Sequence, residues 1–154
     1  MVTKSDQYRT VVAYWCMATD DDYRLGRHVV SALHVDLVFL TKYRRGALDD
    51  VMLTRCEQVM REVCKDFGAR LAQFNGEHDH VRLLVEYPPK VAVSALVNSL
   101  KGVSSRRLRQ DFAERVNRVS VHGRFWSPDY FAASGGAVPI SIICQYIEQQ
   151  RRPG

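Results

Sequence analysis

His80 and Arg82 are polar side chains two positions apart, in a segment whose intervening residues Val81, Leu83 and Val85 are apolar. Alternation with a period of two predicts a strand with one buried face and one polar face. An imidazole nitrogen can bind a divalent metal, whereas a guanidinium stays charged, has no lone pair to offer and pairs well with phosphate. The polar face of this strand is therefore a candidate site for chemistry.

Tyr146 and Gln150 form a second candidate pair. The segment 140–151 is predicted to be a terminal helix, with Ile143 and Ile147 on its buried line. Residues four positions apart are neighbours on one helix face, so the phenol and the amide are adjacent. From the residues alone, Tyr146 is an amphipathic tyrosine on a helix. A phenol is also a poor nucleophile near neutral pH, because its pKa is about 10.

Two basic clusters are candidates for contact with a polyanion. One follows the first predicted strand and the other lies in the C-terminal half of a predicted helix; together they comprise Lys42, Arg44 and Arg45, and Lys101, Arg106, Arg107 and Arg109. A solvated loop would explain the first cluster, and complementarity to the helix dipole would explain the second. The net charge of +5 and the isoelectric point of about 9.2 nevertheless favour a polyanionic partner.

Apolar periodicity predicts the elements that position these residues. Strands are expected at 33–40, 71–74, 80–87 and near 130–134, and helices at 49–67, 91–109 and 140–151. The dipeptide Asn75-Gly76 predicts a hairpin between the second and third strands. This order predicts an α+β fold, a ferredoxin-like or RRM-like sandwich. Its antiparallel sheet carries two helices on one face and the C-terminal helix on the other.

In this fold the first and third strands are neighbours. Their shared polar face is expected to carry His34, Asp36, His80 and Arg82. Asp36 and Arg82 have opposite charges, so we expect a cross-strand ion pair with a closest approach within about 4 Å. The alternative is that both side chains are independently solvated, with a water-filled cleft between them.

Length and composition predict one globular domain. The sequence has 154 residues, of which 46% are hydrophobic and 25% are charged. We expect an N-terminal extension at 1–28, a single domain at 29–154 and a hinge at Gly135-Gly136. The four cysteines have no Cys-x-x-Cys spacing, which indicates buried free thiols in a reducing cytoplasm. No apolar run approaches the length of a membrane span, so no membrane location is expected.

Five motifs, in order along residues 31–152, resemble the small single-tyrosine transposases of bacterial insertion sequences, the TnpA type of HUH nuclease. They are the strand beginning at His80, the first strand with its basic turn, and the segments 98–109, 125–131 and 145–150. The resemblance implies a homodimer that binds single-stranded DNA folded into hairpins at transposon ends. It also implies cleavage and rejoining of this DNA through a 5′-phosphotyrosine intermediate.

The resemblance gives each candidate residue a role. Tyr146 is implied to be the nucleophile, and His80 and Gln150 are implied ligands of Mg²⁺ or Mn²⁺. The two basic clusters are implied to bind DNA. The family's metal site also uses a second histidine two positions after the first, and here that position holds Arg82. Asp36 likewise stands where the family often has histidine.

Three interpretations of these departures stay open. His78 or Asp36 replaces the missing ligand; Arg82 itself neutralises phosphate charge, with less need of a metal; or the protein binds hairpin DNA or RNA without cutting it. Two alternatives come from other classes of protein. One is a non-catalytic nucleic-acid-binding domain that uses the same sheet, and the other is a small-molecule-binding or structural ferredoxin-like protein.

Overall fold

A computed structural model describes residues 24–25, 28–120, 123–134 and 140–150. The chain divides into two units, residues 1–32 and 33–154. In the first unit, β1 (Arg24–Leu25) and β2 (Val30–Ser31) form an antiparallel two-stranded sheet. Most of the predicted extension 1–28 and all of the hinge at 135–136 lie outside the described residues. The boundary between 28 and 29 stays a prediction.

The second unit has the predicted order of strands and helices, with one additional helix. Its elements are β3 (His34–Thr41), α1 (Asp50–Asp66), β4 (Arg70–Gly76), β5 (His80–Glu86), α2 (Val93–Asp111), α3 (Ala113–Val119), β6 (Trp126–Ser134) and α4 (Ile140–Gln149). The short helix α3 was not predicted, because its seven residues bury Val116 alone. The last strand also begins earlier than the apolar pattern indicated.

Helix α1 shows why the sequence defines its ends well. The Asp49 carboxylate accepts a hydrogen bond from the Met52 backbone N–H at 2.9 Å, so it caps the N-terminus. Gly68, with φ of +70°, takes the left-handed conformation that commonly ends a helix. Val51 is 64% exposed, although it is apolar and lies in the first turn of the helix. It precedes the buried line that begins at Met52.

The four strands of the main sheet are antiparallel, in the order β4-β5-β3-β6. The predicted first and third strands are therefore neighbours, as expected. Their register places Leu40 opposite His80, and Val38 opposite Arg82. On the other side of β3, Phe131 of β6 is opposite Val38. Arg82, Val38 and Phe131 thus form one row across three strands.

The two faces of the sheet are covered by different helices. On one face, α1 and α2 enclose a core with the inward residues of β3 and β5, among them Leu37, Phe39, Val81, Leu83 and Val85. On the other face, Ile143 and Ile147 of α4 pack with Val38 and Leu40 of β3. The α+β sandwich, with two helices on one face and the C-terminal helix on the other, is confirmed.

Gly76, the last residue of β4, lies close to α1. A Cβ atom at this position would meet Cδ2 of Leu53, so a larger residue would require the Leu53 side chain to move. The Glu77 backbone N–H donates to the His80 carbonyl oxygen at 2.9 Å and closes the hairpin. The hairpin therefore passes close to α1 directly before β5, the strand of His80.

The cysteine prediction is correct in part. Cys56 and Cys64 are buried free thiols, and burial raises the pKa of Cys56 to about 12 and that of Cys64 to about 11. Cys144 was expected to be buried but is exposed, because it lies on the outer side of α4. Cys16 lies outside the described residues.

Candidate functional site

His80 is held at the start of β5 by the residue before it. Its Nδ1 lies 2.8 Å from Oδ1 of Asp79, a carboxylate that is almost fully buried. A carboxylate in this position favours the tautomer with the proton on Nδ1, which directs the lone pair of Nε2 outward. His80 is therefore fixed in orientation with one nitrogen able to bind a metal or a proton.

Asp79 connects the histidine to the basic turn after β3. Its Oδ2 accepts from Nε of Arg44 at 3.2 Å, and its backbone oxygen accepts from the Thr41 N–H at 2.9 Å. Burial alone would raise the pKa of Asp79, but the hydrogen bond from His80 and the charges of the histidines and Arg44 outweigh it. The pKa of Asp79 is lowered, so this carboxylate stays ionised at neutral pH.

The turn itself has a strained backbone. Tyr43 and Arg44 both have positive φ, 57° and 54°, in a short 3₁₀ turn over Lys42–Arg44. For residues with a side chain this conformation costs about 1–2 kcal/mol each. Thr41 Oγ1 donates to the Arg45 carbonyl at 2.7 Å, and the contact of Arg44 with Asp79 holds the other side. The contact with Asp79 thus ties the strained turn to the residue that precedes His80.

Arg82 is paired with Asp36, as the sequence predicted. Its Nη2 and Nε lie 3.1 and 3.3 Å from Oδ1 of Asp36. The two residues are diagonal neighbours on β3 and β5, since Asp36 is opposite Leu84. Asp36 is 1% exposed, and its Oδ2 has no hydrogen-bond partner among the described residues. The Arg82 side chain, by contrast, is 26% exposed.

Tyr146 lies on the same face of the sheet as Arg82. Its ring is 5.3 Å from that of Phe131, which ends the row that begins at Arg82. Its hydroxyl is buried and has no hydrogen-bond partner within the described ranges. Burial, and secondly the negative charge of Asp129, raise the pKa of Tyr146. The phenol is therefore neutral in this arrangement and positioned beside the polar face.

Gln150 follows α4 and lines a cavity of about 300 Å³. Leu40, which lies directly opposite His80, is part of the same lining. The structure therefore places these four side chains on one side of the sheet, the side to which Val38 and Leu40 of β3 belong: Gln150, Tyr146, His80 and Arg82.

The predicted DNA-binding residues lie in two kinds of environment. Arg45, Arg106 and Arg107 are exposed. Lys101 instead donates to the carbonyl oxygens of Ser127, Pro128 and Asp129, at 2.6, 3.3 and 3.4 Å. Burial lowers the pKa of Lys101, although Asp129 opposes the effect. Arg109 similarly donates to the Gly123 carbonyl at 2.8 Å. For Lys101 and Arg109 the structure thus gives each side chain a contact within the fold.

Known proteins resemble this chain in sequence and in fold. Residues 29–150 match the family described as Transposase IS200 like. The chain belongs to the IS200-like transposase family. The family suggested by the sequence motifs is therefore confirmed, and with it the transposase function of this kind of protein.

Two curated relatives of this transposase come from different bacteria. It is 26% identical over 129 residues to the ISDra2 transposase TnpA of Deinococcus radiodurans, covering 84% of this chain and 91% of the relative. It is 30% identical over 114 residues to the transposase for insertion sequence element IS200 of Salmonella typhimurium, covering 74% of each chain.

Two solved structures share the fold of this IS200-like transposase. A crystal structure described as a transposase from Deinococcus radiodurans superposes with a TM-score of 0.77 and 28% identity, over 84% of this chain and 99% of that one. A REP-associated tyrosine transposase bound to a REP hairpin gives a TM-score of 0.52, over 82% and 69% of the two chains. At 9% identity, the second likeness concerns the fold alone.

The residues present do not complete the metal site that the sequence resemblance implies. Within the described residues, Glu77, Asp79 and His80 bring possible ligand atoms within 4.8 Å of one another, a cluster that could hold a metal ion. However, both carboxylate oxygens of Asp79 are already bonded, to His80 and Arg44. Arg82 offers no lone pair and adds a positive charge to the same face.

The two proposed substitute ligands do not join that cluster. Asp36 is engaged with Arg82, and His78 has a side chain that is 68% exposed, with its Nε2 3.9 Å from Asp79. No role was predicted for Glu77 or Asp79 from the sequence. The signal for Asp79 was its position directly before His80, where a carboxylate can reach the imidazole.

None of the helices within the described residues is long and apolar enough to cross a membrane.

Proposed function

We propose that this IS200-like transposase binds single-stranded DNA folded into hairpins at transposon ends, and that Tyr146 cleaves and rejoins the strand. The observation that carries the proposal is the position of Tyr146. Its ring lies against Phe131, on the sheet face that also carries His80 and Arg82. A nucleophile, a fixed imidazole and a cation therefore converge on one face. The hairpin-bound transposase of the same fold is consistent with a hairpin ligand here.

The proposed step forms one phosphate ester bond for the one that it breaks. Tyr146 Oη loses its proton and attacks the phosphorus, while the bond from phosphorus to the 3′ oxygen breaks. The products are a 5′-phosphotyrosine and a 3′ hydroxyl, which takes up a proton. In rejoining, a 3′ hydroxyl attacks the phosphotyrosine and releases the phenol. Each step exchanges one phosphate ester for another, so no ATP is required.

The chain's own residues supply the electrostatic part of this reaction. Negative charge develops on the phosphate oxygens during attack, and positive groups fixed beside them lower the barrier. Arg82 is held in place by Asp36, and its side chain is partly exposed. His80, oriented by Asp79, can exchange a proton with a leaving oxygen. Both side chains belong to β5, so the strand presents them together.

Mg²⁺ or Mn²⁺ is the cation that the resemblance implies, with His80 and Gln150 as its ligands from this chain. When bound, such an ion polarises the phosphate. We propose that it binds weakly here, because Arg82 occupies the position of a third ligand. No step of the mechanism above depends on it.

A homodimer is also proposed, on the family resemblance. Lys42, Arg44, Arg45, Arg106 and Arg107 are proposed as DNA contacts, with Lys101 and Arg109 at the margin of this surface. The exposed arginines of α2 are available for phosphate in this arrangement.

Covalent capture tests the function directly. The protein is incubated with labelled single-stranded transposon-end DNA, with and without Mn²⁺, and a protein–DNA band that survives denaturation is sought. Tyr146→Phe is expected to abolish the band, and Tyr87→Phe, at a half-buried tyrosine outside the site, is expected to retain it. If Tyr146→Phe forms the adduct at the rate of the wild-type protein, Tyr146 is not the nucleophile.

A second candidate function is hairpin binding without cleavage. Arg82 at a ligand position, together with the buried hydroxyl of Tyr146, favours it. A protein that shifts hairpin DNA in a gel more strongly than duplex DNA, but never forms the covalent band, would have this function.

A further inference from the structure

The cavity at Gln150 has properties that the strand-transfer mechanism does not use. Its volume is about 300 Å³, and it lies between three segments: the basic turn after β3, the start of β6 and the end of α4. Ligand pockets begin at about this volume, which suits one small polar molecule or one nucleotide. The side chains that line the cavity therefore determine which of these it would bind.

Positive charge dominates this cavity. Lys42 and Arg44 line it on one side, and Asp129 is the carboxylate among the lining residues. Arg44 uses Nε for Asp79, so its guanidinium is anchored, and its two Nη atoms have no other partner within the described residues. An anchored guanidinium beside an ammonium is a suitable site for a phosphate group.

An exposed aromatic ring lies at the same place. Tyr43 lines the cavity, is 41% exposed and has the left-handed backbone described above. The ammonium of Lys42 is 4.9 Å from the centre of its ring and covers one face. The other face is where a flat group could stack. Stacking on an aromatic side chain is how proteins commonly hold the bases of single strands.

The opposite wall is polar and held in position. The amides of Gln149 and Gln150 can donate to or accept from the edge of a base, and the carboxylate of Asp129 can accept from it. The carbonyl groups of Ser127 to Asp129 are bound by Lys101, which fixes this segment of β6. Gln149 is the last residue of α4, the helix that carries Tyr146, so this wall of the cavity and the proposed nucleophile belong to one element.

We infer that this cavity binds one unstacked nucleotide of single-stranded DNA next to the phosphate that Tyr146 attacks. Tyr43 stacks on the base, Lys42 and Arg44 hold the adjoining phosphate, and the Gln149–Gln150 wall contacts the base edge. The inference rests on the proposed function for its position relative to the cleaved bond. It adds a site for a base, whereas the strand-transfer step described above uses only the phosphate.

The test compares an oligonucleotide that has bases with one that does not. Binding of a short fluorescent oligothymidylate, and of an abasic strand of the same length, is measured by anisotropy at one salt concentration. Wild-type protein should prefer the strand with bases. Tyr43→Asn removes the ring but suits the left-handed backbone, and should weaken oligothymidylate binding roughly five- to one-hundred-fold. Binding of the abasic strand should not change.

Two further variants control this comparison. Tyr43→Phe keeps the ring and should keep the preference for bases. Tyr130→Asn removes another exposed tyrosine, one outside the cavity lining, and should also keep it. If Tyr43→Asn weakens both strands equally, or leaves the preference intact, the base site is wrong.

This outcome is separate from that of covalent capture. If Tyr43→Asn keeps the preference for bases and the wild-type protein forms the Tyr146 adduct, the base site is ruled out and the proposed function stands. If the preference for bases depends on Tyr43 but no adduct forms, strand transfer by Tyr146 is ruled out and the site for a single-stranded nucleotide stands.

Discussion

Arg82 Nη2 donates to Oδ1 of Asp36 across two neighbouring strands, at 3.1 Å. The aspartate is buried and the arginine is partly exposed, so Arg82 is the partner that a DNA phosphate could reach. The sequence resemblance implies a metal ligand at the position of Arg82. We therefore propose that this one interaction determines both the charge of the site and its capacity for a divalent ion.

Replacing this arginine should change metal binding. Arg82→His removes a positive charge and adds a nitrogen ligand, so Mn²⁺ should bind more tightly than to the wild-type protein, as measured by isothermal titration calorimetry. The double change with Asp36→His adds a second imidazole and should likewise bind Mn²⁺ more tightly than the wild-type protein. Affinity that stays unchanged in both variants would mean that Arg82 is not what limits the site.

The same pair should contribute to stability. Arg82→Met leaves the buried Asp36 charge without its partner, and should lower the free energy of unfolding by about 2–3 kcal/mol, less than for a fully buried pair because Arg82 is partly exposed. Urea unfolding near neutral pH measures the decrease. Arg55→Met is a control, because Arg55 pairs with the exposed carboxylate of Asp111. It should cost about 0.2–1 kcal/mol. Equal decreases would contradict the role of burial.

The rate of adduct formation should rise with pH. Burial and Asp129 raise the pKa of Tyr146 above its ordinary value of 10.0, so the reactive phenolate is scarce at neutral pH. The rate in a single turnover should therefore increase from neutral pH to above 10. Asp129→Asn removes one of the two causes and should move the profile to lower pH. A rate independent of pH over this range would indicate that proton loss from Tyr146 does not limit the reaction.

DNA binding should depend steeply on salt. Arg106 and Arg107 are exposed on α2, and each arginine that no longer neutralises a phosphate lowers the slope of log affinity against log salt by about 0.7 for single strands. Arg106→Gln with Arg107→Gln should thus reduce the slope by about 1.4. Lys65→Gln with Lys90→Gln, at two exposed lysines outside both basic clusters, should leave it nearly unchanged. If the slope is unchanged in the arginine variant and reduced in the lysine variant, the DNA-binding surface does not include Arg106 and Arg107.

The protein should be a homodimer in solution. Light scattering at micromolar concentration should give twice the mass of the 17.6 kDa chain. A monomer at this concentration would count against the dimer, and also against any completion of the site by a second copy.

The sequence predicted the parts of the fold that depend on local pattern. The alternation along β5 and the Asn75-Gly76 turn gave the hairpin, and opposite charges on neighbouring strands gave the pair of Asp36 with Arg82. These features follow from residue spacing, which a sequence displays directly. The short α3 was missed because a seven-residue helix with one buried residue has almost no period to detect.

Other features depend on contacts between distant segments. Nothing near Lys101 in sequence indicates that it binds the carbonyls at 127–129, and nothing near Tyr43 indicates its left-handed backbone. Likewise, Asp79 reaches Arg44 across 35 positions of the chain. These side chains gain their roles only once the sheet has brought β3, β5 and β6 together.

The shared contacts of Asp79 limit how this site can vary among related chains. Asp79 orients His80 with one oxygen and holds Arg44, in the strained turn, with the other. A change at Asp79 would release the turn and the histidine together, and replacement of Arg44 would leave a buried carboxylate with half its support. Positions 44 and 79 should therefore covary during evolution, and a chain that has lost one of this pair should have lost the other.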